Sequence, residues 1–497
     1  MAIPSPTAAP VPLSDATLAA LPADVLRPRY DRAALSPGIV HIGLGNFHRA
    51  HQAWYLHRLM QQGDAQDWAI VGAGVRAEDA AMRTRLLSQD CLTTLVELDP
   101  AGATLEVVGA MTNYLPVEPD NAALIRQMAD PAIRIVSLTV TEGGYFRDGE
   151  DGFDAHHPDI RHDIAHPGAP RTAFGAMVAA LALRRRAGVP PFTALSCDNL
   201  QGNGAILQRT VLALAEHTDP ELARWIEAEG AFPNSMVDCI VPATTPDLVQ
   251  QVRETGIADA APVMHENFRQ WVIEDRFCAG RPKWEEVGAL ITSDVHGHEA
   301  MKLRILNGGH QLLANVGEVL SRATIADCMA DEQVAAFFRK VQVGEILPHV
   351  VAVPGTTPAA YLQLIAQRFA NPAIRDATRR VAFDGSARHP GFLLPTVRDA
   401  LAGDHAVSGL ALAEAFWARM CVGEREDGSL IEANDPHWAS LQAAARAARE
   451  EPAAWLAQPF YGDLAGESAF ADSFSSWLAR IWGEGCRAAL DAYLTAS

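Results

Sequence analysis

The feature that most constrains this chain is a short apolar run closed by glycines: Gly38-Ile-Val-His-Ile-Gly43-Leu-Gly45-Asn46-Phe47. Branched aliphatic residues over so few positions predict a buried strand, and the glycines predict a tight turn out of it. A helical pattern follows over residues 47–62, so the segment reads strand, turn, helix. Further apolar runs at 68–72, 133–140 and 192–196 alternate with helical stretches such as Ala173–Ala187. That alternation predicts a parallel sheet. From about Glu299 onward Ala, Leu, Glu and Arg dominate, with helical periodicity at 301–320, 331–343, 359–368, 410–420 and 437–449. No comparable strand alternation occurs there. The expected architecture is therefore an α/β, Rossmann-type domain over residues 1–293 followed by a mostly α-helical domain over 294–497.

At 497 residues the chain exceeds one ordinary domain. Its 60 acidic and 40 basic residues give a formal charge of −20, which argues against a nucleic-acid surface. No run of eighteen apolar residues exists, so no membrane span is expected. Residues 1–13 are rich in Pro and Ala and lack a basic start, which reads as a loose leader rather than a secretory signal. The seven cysteines are odd in number, scattered and free of CxxC pairs. That pattern is neither a disulfide framework nor a zinc site and fits a reducing cytoplasm.

In the first turn, Gly43 permits the bend and Gly45 lets backbone approach a pyrophosphate seated on the following helix. The third glycine of a dinucleotide fingerprint is missing, because His48 stands in its place. Glycines after a strand also form plain turns, so this reading stays open. Beyond the next strand, Glu78 and Asp79 could take an adenosine ribose hydroxyl and disfavour NADP, or simply cap the next helix. Thr141-Glu142-Gly143-Gly144-Tyr145 ends the third strand where a dinucleotide would run, or is an ordinary Gly-Gly turn.

The densest chemistry lies in Glu299-Ala-Met-Lys302-Leu-Arg-Ile-Leu-Asn307-Gly308-Gly309-His310. At about 100° per residue, Lys302, Asn307 and His310 span an arc of roughly 140° on a regular helix. Two adjacent glycines inside a helix cost about 1 kcal/mol each against alanine, so something approaches closely there or the helix bends. The plainer alternative is a capped helix with one stray lysine and tight packing at the glycines. Asn199, in Ser196-Cys-Asp-Asn199-Leu, closes another strand and could donate to an oxyanion or make a turn.

Taken together, GxGNFHRAH, TVTEGGY, SCDNL, FPNSMVD, WVIEDRF and KLRILNGGH resemble the long-chain, metal-independent polyol dehydrogenases, in the family's order from Ile39 to Pro395. The group includes mannitol 2-dehydrogenases, arabinitol dehydrogenases and fructuronate reductases. The resemblance implies an NAD-dependent oxidoreductase that interconverts a sugar alcohol and its ketose, with fructuronate reduction as the alternative. It implies Lys302 as general base, Asn199 and Asn307 as holders of the reacting oxygen, and His310 as a substrate contact. Asp238, Arg380 and Arg388 match substrate-site positions, and Glu299 matches an acid at a proton exit. Gly43, Gly45, Asn46, Phe47, Glu78, Asp79 and Glu142 are the expected cofactor contacts. Members of the group are often monomers, so a monomer is expected. A lysine works as a base near neutral pH only if burial or a positive neighbour brings its pKa from about 10.4 toward 7–8.

Two rival readings remain. Asp294, His296 and His298, or His156, His157, His162 and His166, could ligate a metal, although neither set has a familiar zinc spacing. A nucleotide-binding regulator that lost catalysis is the other, opposed by the intact Lys302, Asn199, Asn307 and His310 set.

Overall fold

Five parallel strands organise the first part of the chain: β1 (Pro37–Ile42), β2 (Ala69–Ala73), β3 (Met111–Tyr114), β4 (Ile135–Leu138) and β5 (Thr193–Ser196). Their order across the sheet is β3-β2-β1-β4-β5, with every neighbouring pair parallel. β1 is central, and the chain reverses direction across the sheet between β1 and β4. This is the Rossmann arrangement, in which ligands bind beyond the carboxyl ends at that reversal. β1 sends Val40 and Ile42 to one face and Ile39 to the other. The first face packs against Leu124, Met177 and Leu207 of the helices Ala122–Ala129, Ala173–Ala187 and Asn203–Thr218. The other meets Leu56 and Leu59 of the helix Gln52–Gln61. Burial on both faces explains why these strands read as continuous apolar runs.

The computed structural model describes residues 9–99, 102–146 and 152–496. The chain divides into two compact units, Met1–His296 and Gly297–Ser497.

Three features of the first unit depart from the expectations. Two three-stranded sheets are also present among the described residues: Val263–Glu266 lies parallel to Thr93–Asp99, which pairs antiparallel with Gly102–Val108. Gln270–Glu274 likewise joins Ser235–Asp238 antiparallel and Leu290–Thr292 parallel. These strands are short or half polar, so no continuous apolar run marks them. The expected helix over 47–62 is broken at His51, whose φ of −121° and ψ of −88° separate Asn46–Ala50 from Gln52–Gln61. Finally, the leader is not loose from residue 11 onward. Val11–Pro12 pairs parallel with Ile257–Ala258, and Leu13 is buried.

The second unit is helical, with only isolated bridges such as Thr324 with Ala377 among its described residues. Its centre is the helix Ser408–Cys421, buried at every position from Gly409 to Cys421. A helix buried all round is expected to be apolar all round. Two charged residues are exceptions: Glu414 accepts from Tyr461 OH at 2.6 Å and lies 2.7 Å from His389 Nδ1, and Arg419 donates to Glu424 O at 2.6 Å, which compensates their desolvation. Among the described residues no helix is long and apolar enough to cross a membrane, and all seven cysteines are free thiols.

Candidate active site

In the first unit, the turn after β1 shows why its glycines are glycines. Gly43 has φ of +91°, and a Cβ there would overlap the Thr139 carbonyl just beyond β4. Gly45 differs. It is exposed, and no atom lies within 4 Å of where its Cβ would be. The first glycine is fixed by the fold, whereas at the second the fold leaves room for a side chain. In place of the third glycine, His48 stacks on His41 of β1 with ring centroids 3.4 Å apart. His41 Nδ1 lies 2.8 Å from Ser137 Oγ, and Nε2 lies 3.0 Å from Thr139 Oγ1. An aromatic stack therefore makes the helix-to-strand contact that a glycine makes in the usual fingerprint. Burial lowers the pKa of His41 to about 3, which keeps the pair neutral.

Asn46 is committed to structure through its side chain. Nδ2 donates to Thr244 Oγ1 at 2.9 Å, while Oδ1 accepts from Arg49 at 2.7 Å. Phe47 is half-buried and stacks on His51 at 4.8 Å. Asp79, in the first turn of Asp79–Leu87, accepts the Arg76 N–H at 3.0 Å and folds over Gly74 at the end of β2. Glu78 is exposed and makes no side-chain cap. Glu142 begins a 3-10 turn, but its side chain lies outside the described residues.

The sequence reading missed the residue that shapes this crevice. Asp198 follows β5, and its buried carboxylate accepts from Val140 N–H at 3.1 Å, Thr141 N–H at 2.9 Å and Tyr145 OH at 2.7 Å. Thr141 has φ of +68°, a costly conformation for a β-branched residue that persists only where surroundings impose it. Burial first, and Asp198 next, push the Tyr145 hydroxyl well above its ordinary pKa, so it remains a donor. The neighbouring Asn199 is exposed. Asp238 is buried at the end of its strand.

In the second unit, one continuous helical segment carries Lys302, Asn307 and His310. It runs as α-helix through Met301, widens to i→i+5 hydrogen bonding over Lys302–Asn307, and resumes as α-helix over Gly308–Val319. A wide turn absorbs one extra residue, or about 100° of rotation. Lys302 and Asn307, roughly 140° apart on a regular helix, come within about 40°. Including His310, the arc shrinks to roughly 60°. Such turns concentrate at functional sites.

Lys302, Asn307 and Glu299 are all buried. Among the described residues, Asn307 Nδ2 and His310 Nε2 are buried without a hydrogen-bond partner. Orphaned polar atoms of this kind need an explanation, and a bound hydroxyl or alkoxide oxygen is one. The His310 ring stacks on Phe369 at 4.2 Å, and burial brings its pKa down to about 3. It therefore works as a neutral hydrogen-bonding group.

The paired glycines serve packing rather than ligand approach: Cβ atoms there would press Leu393, Gln342 and Phe338. Arg380 is exposed, and its fork is taken by Asp376, with Nε and Nη2 each 2.6 Å from a carboxylate oxygen. Arg388 Nη1 donates to Val381 O at 2.6 Å, a carbonyl that also accepts from Gln311 Nε2 at 3.1 Å. Both arginines act electrostatically on His310, so they lie near it.

The proposed metal sets do not assemble. Among the described residues no group of three or more His, Cys, Asp or Glu is placed to hold an ion, and His162 stacks on His166 at 4.6 Å.

Known proteins extend this picture. Residues 37–286 match the mannitol dehydrogenase Rossmann domain, and residues 294–482 match the mannitol dehydrogenase C-terminal domain. A mannitol 2-dehydrogenase of Cereibacter sphaeroides is 54% identical over 95% of this chain and 99% of its own length. A polyol:NADP oxidoreductase of Gluconobacter oxydans is 38% identical over 86% of this chain and 88% of its own length. The solved ternary complex of Pseudomonas fluorescens mannitol 2-dehydrogenase with NAD and D-mannitol superposes with a TM-score of 0.90 at 38% identity, covering 98% of this chain and all of that one. Both halves of the molecule thus match one family from end to end, and the chain belongs to the mannitol dehydrogenase family.

Proposed function

We propose that this protein is an NAD-dependent polyol 2-dehydrogenase that interconverts mannitol, or a closely related neutral sugar alcohol, and its ketose. The observation that carries the chemistry is the wide turn, which sets a buried lysine beside a buried, unpartnered amide. The open space at Gly45, beside the reversal of the sheet, fits a dinucleotide. The turn Gly43, Gly45, Asn46 and Phe47 would hold it through backbone, with Glu78, Asp79 and Glu142 further along the crevice. When bound, NAD supplies the hydride acceptor or donor.

Lys302 removes the hydroxyl proton as the alcohol is oxidised and returns it in reduction. Asn307 Nδ2 donates to the oxygen as it takes on alkoxide character, with Asn199 as a further donor. His310, held neutral, hydrogen-bonds a substrate hydroxyl, Asp238 accepts from another, and Glu299 passes the proton outward. Arg380 and Arg388 serve the polyol chain.

A neutral substrate is favoured over a hexuronate by the state of Arg380. A carboxylate would want a bidentate guanidinium, yet Asp376 already occupies that fork. The formal charge of −20 offers an anion no steering either. We further take the protein to work as a cytoplasmic monomer; seven free thiols suit a reducing compartment.

The test is a panel of hexitols, pentitols, ketoses and fructuronate with NAD or NADP, run with and without a chelator. Mannitol or arabinitol with NAD should give the highest kcat/KM, unaffected by chelation. A fructuronate value ten times that of the best ketose would refute the substrate assignment.

A further inference from the structure

We infer that Gln342 is a positioning residue that holds the wide turn of the catalytic helix in shape, acting through the Ile305 carbonyl. The inference rests on Lys302 and Asn307 being the working pair proposed above.

Gln342 is fully buried. Its Nε2 donates to Ile305 O at 2.8 Å, inside the segment that separates Lys302 from Asn307. Widening a turn tilts its carbonyls away from regular partners, so an outside donor stabilises the widened form. Among the described residues, Gln342 Oε1 has no hydrogen-bond partner. Packing alone does not call for an amide here. Methionine would fill similar space without burying an unsatisfied oxygen. The donation to Ile305 accounts for the polar residue.

Gly309 completes the device. A Cβ at that position would sit 2.8 Å from Gln342 Nε2 and 2.9 Å from Phe338 Cε2. The second glycine of the pair therefore clears the path by which the amide reaches the helix. Gln342 itself opens a second wide-turn segment, Gln342–Ile346, following the helix Glu332–Val341. Without the amide, the turn over Lys302–Asn307 drifts toward regular geometry and carries Asn307 around the helix, away from Lys302.

The experiment compares Gln342→Met, Gly309→Ala, the double variant and Lys302→Ala, all as full-length enzyme. Polyol kcat and KM, the pH profile of kcat/KM, NADH affinity and unfolding temperature are measured for each. Gln342→Met is expected to lose at least about tenfold in kcat, with polyol KM and NADH affinity within about threefold. The apparent pKa of the acid limb should move, since the surroundings of Lys302 change, and a residue that only fills space would leave it alone. Gly309→Ala should show the same lesion, and the double variant should be no worse than the poorer single.

An unchanged kcat and pH profile in Gln342→Met, or losses that multiply in the double variant, overturns the inference. Should Gln342→Met fail to fold, Gln342→Leu removes the donor with a smaller apolar side chain. Its kcat must fall equally at neutral pH, and an unchanged kcat overturns the inference too. Lys302→Ala separates the two levels. If that variant stays active, the assignment of the base falls; if it is inactive while Gln342→Met is silent, only the role of Gln342 falls.

Discussion

Acidification from pH 7 to pH 5 should unfold the first unit ahead of the second, because of histidines with no direct part in the chemistry. His41, His48 and His265 are at most 1% exposed. Burial lowers His41 and His265 to about 3. It lowers His48 well below its ordinary value too, with His41 and His51 adding to the effect. In the unfolded chain each titrates near 6.5. Between roughly pH 6.5 and 3, therefore, the unfolded state binds protons that the folded state refuses, and stability falls as pH falls. At pH 5 the loss is 1.5 pH units at 1.36 kcal/mol each, or about 2 kcal/mol for each of His41 and His265 and about 4 kcal/mol for the two, with His48 acting in the same direction. That is a large part of the ~5–15 kcal/mol that holds a typical domain folded. In the second unit, burial lowers His310 to about 3. Urea titrations at both pH values, read by hydrogen exchange resolved along the chain, separate the units. With a urea slope of ~3 kcal/mol/M, the midpoint of residues 9–296 should fall by at least about 1.3 M. A fall under about 0.5 M, or a larger fall in the second unit, would refute the linkage to these buried rings.

Three further outcomes follow from the site. Lys302→Ala should abolish turnover by more than the ~10²–10⁴ of ordinary acid–base catalysis while NADH still binds, and one tenth of wild-type activity at neutral pH would remove Lys302 as the base. Asp198→Asn should raise the KM for NAD about tenfold and leave kcat within about threefold, because Thr141 loses the charged acceptor that holds its strained backbone. Steady-state kinetics with NAD varied is the check; an unchanged KM would show that the Thr141 loop does not shape the cofactor site. Asp79→Ser should raise relative use of NADP by easing repulsion of a 2′-phosphate, and a wild type that already uses both cofactors equally would contradict this.

The legible parts of this molecule were those encoded locally. A strand, a glycine turn and a helix announce themselves within a dozen residues, and the family motifs singled out Lys302, Asn307 and His310, which the structure carries on one continuous helical segment. What escaped depends on partners distant in sequence or on backbone angles. The phase of Asn307 relative to Lys302 is set by a wide turn whose outside donor lies at Gln342. Asp198 sat inside a recognised motif, but the positive φ of Thr141 that makes it important has no sequence signature. The ion pair that takes the Arg380 fork was legible only as a spacing, since Asp376 stands four residues earlier. The split of the first helix at His51 was equally silent, since His51 Nε2 meets the carbonyl of Gln270 at 2.9 Å, far along the chain.

The wide turn has a consequence for how this enzyme can change length. A helix with one surplus residue at a single point behaves there like an insertion that the rest of the fold has already accommodated. Removing one residue between Lys302 and Asn307 would leave an ordinary helix with the two groups four positions apart, still within about 40° of each other, and with packing on either side in register. Removing one from Gly308–Val319 instead would rotate all downstream contacts by about 100°. The segment between Lys302 and Asn307 is thus also the place in this helix where the family could gain or lose a residue without rebuilding its core.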